Sequence, residues 1–273
     1  MMDMDHRRIQ HGVGMGLLIF LIWGCNAKKT YSVKTETIKV DSLEQIIPLS
    51  DALVKPILYT HVSGLSQLSV SESKSKFVAV VLPAILVAKI EITNLETRLN
   101  ELEKKKRWKD QDSAFYLDFK KRYKAISLED LLYRIGTLPN SIVLAQAAVE
   151  SGWGQSRFFL EANNLFGIWS FKKDEPRVAA GVSRNEKTVY IRSYENISAS
   201  ILHYFEILGT ASAYSSLREA RHAETSPFAL LPHLENYSER RSSYTELLKE
   251  IILQNHFTHY DQYRIDPDYM IRD

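Results

Sequence analysis

The segment from Lys76 to Lys106 constrains the fold most. Val78, Val81, Leu82, Ile85, Leu86, Ile92, Leu95, Leu99 and Leu102 recur at three- and four-residue spacing, so this segment reads as a long helix that needs other elements to cover its apolar face. Pro83 lies inside the run and is expected to start, end or kink the helix. The seam from Ile85 to Leu102 lasts under three heptads, which favours a plain amphipathic helix over a coiled coil. Lys104-Lys105-Lys106-Arg107 reads as a solvated basic end that complements the helix dipole.

Further helices are expected over Phe115–Lys124, Leu128–Ile135, Ser198–Leu208, Ser215–Ala223 and Tyr244–Gln254. Val178-Ala179-Ala180-Gly181 and Thr188-Val189-Tyr190-Ile191 alternate like a small β-hairpin. The expected class is mainly α with a small β lobe. With 45% hydrophobic and 25% charged residues over 273 positions, the chain has the makings of an ordinary globular core. A formal charge of +2 gives no support for nucleic-acid binding. The single cysteine, Cys25, excludes an internal disulfide framework and any multi-cysteine metal site. The histidines show no metal-ligand spacing, no phosphate loop is present, and no cofactor is expected.

The first residues carry an address. Arg7 and Arg8 precede a short apolar run, Val13–Trp23, about as long as a signal-peptide h-region. Leu21-Ile22-Trp23-Gly24-Cys25 resembles a lipobox, although Trp23 stands where a small residue is usual. The reading is a signal peptide over 1–24 and a lipidated Cys25. Such an anchor implies a membrane-attached protein in the cell envelope, facing the periplasm or wall. Residues 25–75 are polar and read as a flexible tether. A compact domain follows over 76–256, and 257–273 reads as a polar tail.

Ile142–Val149 is apolar on nearly every side except at Gln146, which marks a buried helix, and Gly152 and Gly154 stop it. Glu150 therefore falls at the C-terminal end of a buried helix, beside Ser151 and Trp153. Burial and the negative end of the helix dipole both raise a carboxyl pKa, as a general acid in glycoside hydrolysis requires. Further on, Asn163, Asn164, Phe166, Gly167 and Trp169 combine amides that suit sugar hydroxyls with rings that stack on pyranoses.

Glu150-Ser-Gly-Trp-Gly followed by Asn163-Asn-Leu-Phe-Gly-Ile resembles the glucosaminidase family of bacterial wall hydrolases, glycoside hydrolase family 73. Lys76-Phe77, Ser198–Tyr204, Ala213–Arg221 and Asn236–Tyr244 resemble its Bax-like branch. The resemblance spans about residues 76–255. It implies a lysozyme-like α fold with a small β lobe, and cleavage of the β-1,4 bond after N-acetylglucosamine in peptidoglycan glycan strands. It places Glu150 on the catalytic acid and Tyr237 on a cleft tyrosine. Ser151, Trp153, the Asn163–Trp169 motif, Tyr190 and Tyr244 would contact substrate. Between Tyr237 and Tyr244 the chain departs from the Ala-Thr-Asp-Pro common in the family. Glu186 is the candidate second carboxylate, with Glu175 as the alternative; assistance by the substrate's own acetamido group is a third route. A lytic transglycosylase or muramidase and a non-catalytic wall-binding lipoprotein are the competing functions.

Overall fold

A computed structural model describes residues 29–184 and 187–273. Two short strands, β1 (Tyr31–Val33) and β2 (Glu36–Lys39), come first, followed by β3 (Leu53–Val54) and β4 (Ile57–Thr60). The long helix α1 (Val70–Lys104) starts earlier than its apolar periodicity indicates. Ser69 and Glu72 form a reciprocal capping box that fixes its first turn. α1 runs unbroken through Pro83. Residues 77–88 are buried on every side, and only the later half is amphipathic, through Ile92, Leu95, Leu99 and Leu102. By length and hydropathy α1 could cross a bilayer, but 72% of its most apolar window is buried inside the protein, as in a central core helix.

The helices α2 (Asp110–Arg122), α3 (Leu128–Arg134), α4 (Asn140–Ser151) and α5 (Arg157–Ala162) follow. The hairpin β5 (Arg177–Arg184) and β6 (Lys187–Arg192) forms the small antiparallel lobe, with an irregularity between Ala179 and Ser183. Then come α6 (Ile197–Thr210), α7 (Ser215–Ala223), the single turn α8 (Pro227–Leu230) and α9 (Ser242–Gln254), and finally β7 (Arg264–Ile265) and β8 (Met270–Arg272). The described residues thus have the expected mainly α class with a small β lobe.

The two ends of the chain differ from expectation. Residues 31–67, read as a tether, fold onto the helical body. Val40, Ile46, Val54, Ile57, Leu58, Tyr59, Val62 and Leu65 are all buried. The tail is ordered as well: β3 pairs parallel with β7, and β1 pairs antiparallel with β8, Tyr31 opposite Arg272. The reason is the all-round apolar stretch of α1. One shell of helices leaves part of it bare, and the two chain ends cover the remainder. Their apolar residues alternate only over short patches such as Ile38-Lys39-Val40, so polar composition dominates the sequence impression. The signal run and Cys25 lie outside the described residues.

Candidate active site

Both ends of α4 are locked, and this fixes where Glu150 sits. At its start, the Asp261 carboxylate accepts from Ser141 N at 2.7 Å and from Ser141 Oγ at 2.8 Å, satisfying orphan donors of the first turn. Asn140 Nδ2 donates to the Tyr260 carbonyl at 2.7 Å. Lys89 Nζ donates to the Leu138 carbonyl at 3.1 Å and to Asn140 Oδ1 at 2.8 Å. Burial lowers the Lys89 ammonium to about 8, with Asp261 acting against the shift.

At the other end, Gly152 takes a left-handed conformation with φ 56° and closes the helix. Gly154, at φ 79°, has a second constraint: a Cβ there would come within 3.0 Å of Leu65 and 3.1 Å of Phe77. Ser151 Oγ donates to the Ala147 carbonyl at 2.6 Å and accepts from Gly154 N at 2.9 Å. Ser151 is fully buried, and its hydroxyl is engaged within the end of the helix.

Glu150 projects, half-buried, toward a group of tyrosines. Tyr244 of α9 donates its hydroxyl proton to Glu150 Oε1 at 2.8 Å. Burial pushes the Glu150 carboxyl above its ordinary range, and the Tyr244 hydrogen bond acts against this without cancelling it. The Tyr237 ring lies parallel to Tyr244, with centroids 5.7 Å apart and planes 8° apart. Tyr237 also meets Tyr204 at 6.2 Å and Tyr214 at 6.3 Å. Burial, and then the charge of Glu150, hold the Tyr237 hydroxyl well above its usual value and bring that of Tyr214 up to about 12. These phenols therefore stay protonated through the neutral range.

In the motif after α5, the two amides bond to the protein itself. Asn163, in a left-handed conformation, donates to the carbonyls of Tyr194 at 3.0 Å and Glu195 at 3.2 Å. Asn164 is 1% exposed. Its amide donates to the carbonyls of Ile168 and Arg192 at 2.9 and 2.8 Å, and its oxygen accepts from Ile168 N at 2.9 Å. Both amides are committed to tying the loop and the β lobe to the helical body. Phe166 is a core ring stacked on Tyr204, with centroids 4.2 Å apart. Trp153 packs on Phe77, Phe257 and the Lys74 ammonium. Tyr190 lies beneath the Arg177 guanidinium, 3.9 Å away. Gly167, with open space where a Cβ would be, and Trp169, 41% exposed, remain accessible.

Glu175 is held by Ser170 Oγ at 2.8 Å and Arg192 at 3.2 Å. Burial raises its carboxyl, but these partners outweigh that and leave it below the ordinary range. It is a lobe-fastening carboxylate. Glu186 lies outside the described residues. Among the described residues, no group of three or more His, Cys, Asp or Glu side chains is placed to hold a metal ion.

Three site residues escaped the sequence reading: Gln146, Tyr204 and Tyr214. Gln146 had a signal, as the one polar residue in an otherwise apolar helix, but that signal names no partner.

Residues 126–257 match the glucosaminidase family, described as mannosyl-glycoprotein endo-beta-N-acetylglucosaminidase. Protein bax of Escherichia coli strain K12 is 30% identical over 192 residues, which is 64% of this chain and 67% of that protein. The chain belongs to the glucosaminidase family. Within it, the chain sides with the Bax-like branch. Two solved structures are also similar. The catalytic domain of the autolysin Auto from Listeria monocytogenes is 19% identical, with a TM-score of 0.41 over 73% of this chain and 98% of that one. The glycoside hydrolase domain of FlgJ from Salmonella typhimurium is 24% identical, with a TM-score of 0.37 over 51% and 87%. The glucosaminidase match contains Glu150, the lobe and all four tyrosines around Glu150. It stops at 257, just before Asp261, which caps the helix carrying Glu150.

Proposed function

We propose that this glucosaminidase-family protein is a peptidoglycan hydrolase that cuts the β-1,4 bond after N-acetylglucosamine, with Glu150 as general acid. One observation carries this reading. Glu150 is a half-buried carboxyl held above its ordinary range, with Oε1 occupied by the Tyr244 hydroxyl. Oε2 is then the oxygen that bears the acid proton and offers it to the glycosidic oxygen as the bond to the anomeric carbon breaks. Trp169, 41% exposed, is the proposed aromatic contact for a sugar. Tyr237, with its high phenol, serves as a neutral donor near the reacting ring.

Glu186 is the proposed activator of water, because Glu175 is already committed to Ser170 and Arg192. If Glu186→Gln retains activity, the substrate's acetamido group takes that part. Acylation of Cys25 is proposed to hold the enzyme on a membrane of the envelope. β1 starts at Tyr31, six residues after Cys25, and six residues span at most roughly 20 Å, so an anchored chain would hold β1 close to the bilayer. Labelled palmitate incorporated by the wild type and lost in Cys25→Ser checks this.

The main test is digestion of purified sacculi with reducing-end analysis by mass spectrometry. N-acetylglucosamine ends support the reading. Muramic or anhydromuramic ends would assign the other bond, and sacculus binding without cleavage in either wild type or Glu150→Gln would leave a binding protein only.

A further inference from the structure

The hydrogen bonds behind Glu150 form a chain with a direction. Tyr244 has one hydroxyl proton. Its oxygen receives Gln146 Nε2–H at 3.0 Å, so that proton is free to go to Glu150 Oε1 at 2.8 Å. Gln146 presents its nitrogen to Tyr244 because its Oε1 accepts the hydroxyl of Tyr204. Turning the amide over would set Oε1 against Tyr244, draw the Tyr244 proton away from Glu150, and deprive the Tyr204 hydroxyl of its acceptor. Gln146 is 0% exposed and Tyr204 and Tyr244 are each 1% exposed, so the arrangement is sealed from solvent. In such surroundings a chain of aligned donors polarises along its length and is costly to misalign.

We propose that Gln146 and Tyr204 are positioning residues that aim the Tyr244 proton at Glu150 and so stabilise the carboxylate left when Glu150 has protonated the leaving sugar oxygen. The proposal rests on the general-acid reading of Glu150. Neither residue touches substrate; both act through Tyr244. The bond from Tyr244 strengthens as negative charge develops on Oε1, so it favours the transition state over the ground state. Among the described residues, the phenols of Tyr204, Tyr214, Tyr237 and Tyr244 are all shifted upward by burial and by the charge of Glu150.

The test follows the Glu150 carboxyl carbon by NMR in full-length protein labelled at glutamate, alongside the pH dependence of kcat/KM on sacculi. The variants are Tyr204→Phe, which keeps the ring against Phe166, and Gln146→Met, which keeps the volume. Each is also made in a Tyr244→Phe background. Losing the aimed donor should raise the Glu150 titration by roughly half to one pH unit and move the alkaline limb of kcat/KM by the same amount. Both effects should vanish when Tyr244 is already Phe. A folded Tyr204→Phe with an unmoved Glu150 titration would overturn the proposal, and so would an equal shift without the Tyr244 hydroxyl. Should Gln146→Met fail to fold, Tyr204→Phe carries the test alone. Failure of the general-acid reading looks different: the NMR shifts appear, while Glu150→Gln stays active and the rate profile stays put.

Discussion

Replacing Asp261 with Ala removes one of the contacts by which the C-terminal segment holds the start of α4. The structure sets the magnitude. Two bonds to Ser141, at 2.7 and 2.8 Å, are lost, and Ser141 is fully buried, so its N–H and Oγ–H find no substitute. A helix cap is worth about 1 kcal/mol, and a bond to a charged acceptor about 1.5–3 kcal/mol. Asp261 is itself half-buried, which lowers the upper figure, and we expect a loss of about 2–3 kcal/mol in urea unfolding at unchanged m. Lys89 adds a signature in pH. Its folded value is about 8 against 10.5 in the unfolded chain, so between those values the unfolded chain binds the extra proton and wild-type stability rises with pH. Asp261 supports the charged ammonium, so in Asp261→Ala the folded value drops further and the rise begins at lower pH. A variant within 0.5 kcal/mol of wild type, or an unchanged profile from pH 7 to 10.5, would refute the reasoning.

Glu150→Gln should lower kcat by about 10²–10⁴-fold. The folded Glu150 carboxyl lies above its unfolded value, so its contribution is present at low pH and is lost as pH rises through the folded value; above that window Glu150→Gln should be as stable as wild type or more so, as thermal melts across pH would record. Asn164→Ala should cost about 2–3 kcal/mol through three lost bonds to backbone; unchanged stability with a raised KM would instead return Asn164 to the substrate. Tyr59→Ala should cost about 3–5 kcal/mol, because Tyr59 is 1% exposed, and a neutral result would restore the tether. Glu175→Gln should weaken the lobe's attachment at neutral pH only: the folded Glu175 lies below its unfolded value, so its contribution is present above the unfolded value and fades as pH falls through the folded one, which proteolysis of the lobe against pH would show.

Local signals determined a good deal. The all-round apolar run 142–149 made α4 a buried helix, Gly152 ended it, and Glu150 at that end was marked as a carboxyl with a raised pKa. The helices α3, α7 and α9 and the hairpin were legible for the same reason, because periodicity and stop residues act within a few positions of themselves. Capping refined this: Ser69 and Glu72 moved the start of α1 outward. What the tertiary structure alone decided involves partners far apart in sequence. Asn163 and Asn164 have the composition of a sugar site, yet their amides meet backbone carbonyls about 30 residues away. The Tyr204–Gln146–Tyr244–Glu150 chain joins residues separated by 58, 98 and 94 positions. Residues 31–67 look like a tether because their apolar side chains alternate only over short patches, and they fold because α1 offers them a surface. An amide or a phenol carries no mark of whom it will bond; packing chooses the partner, and with it the role.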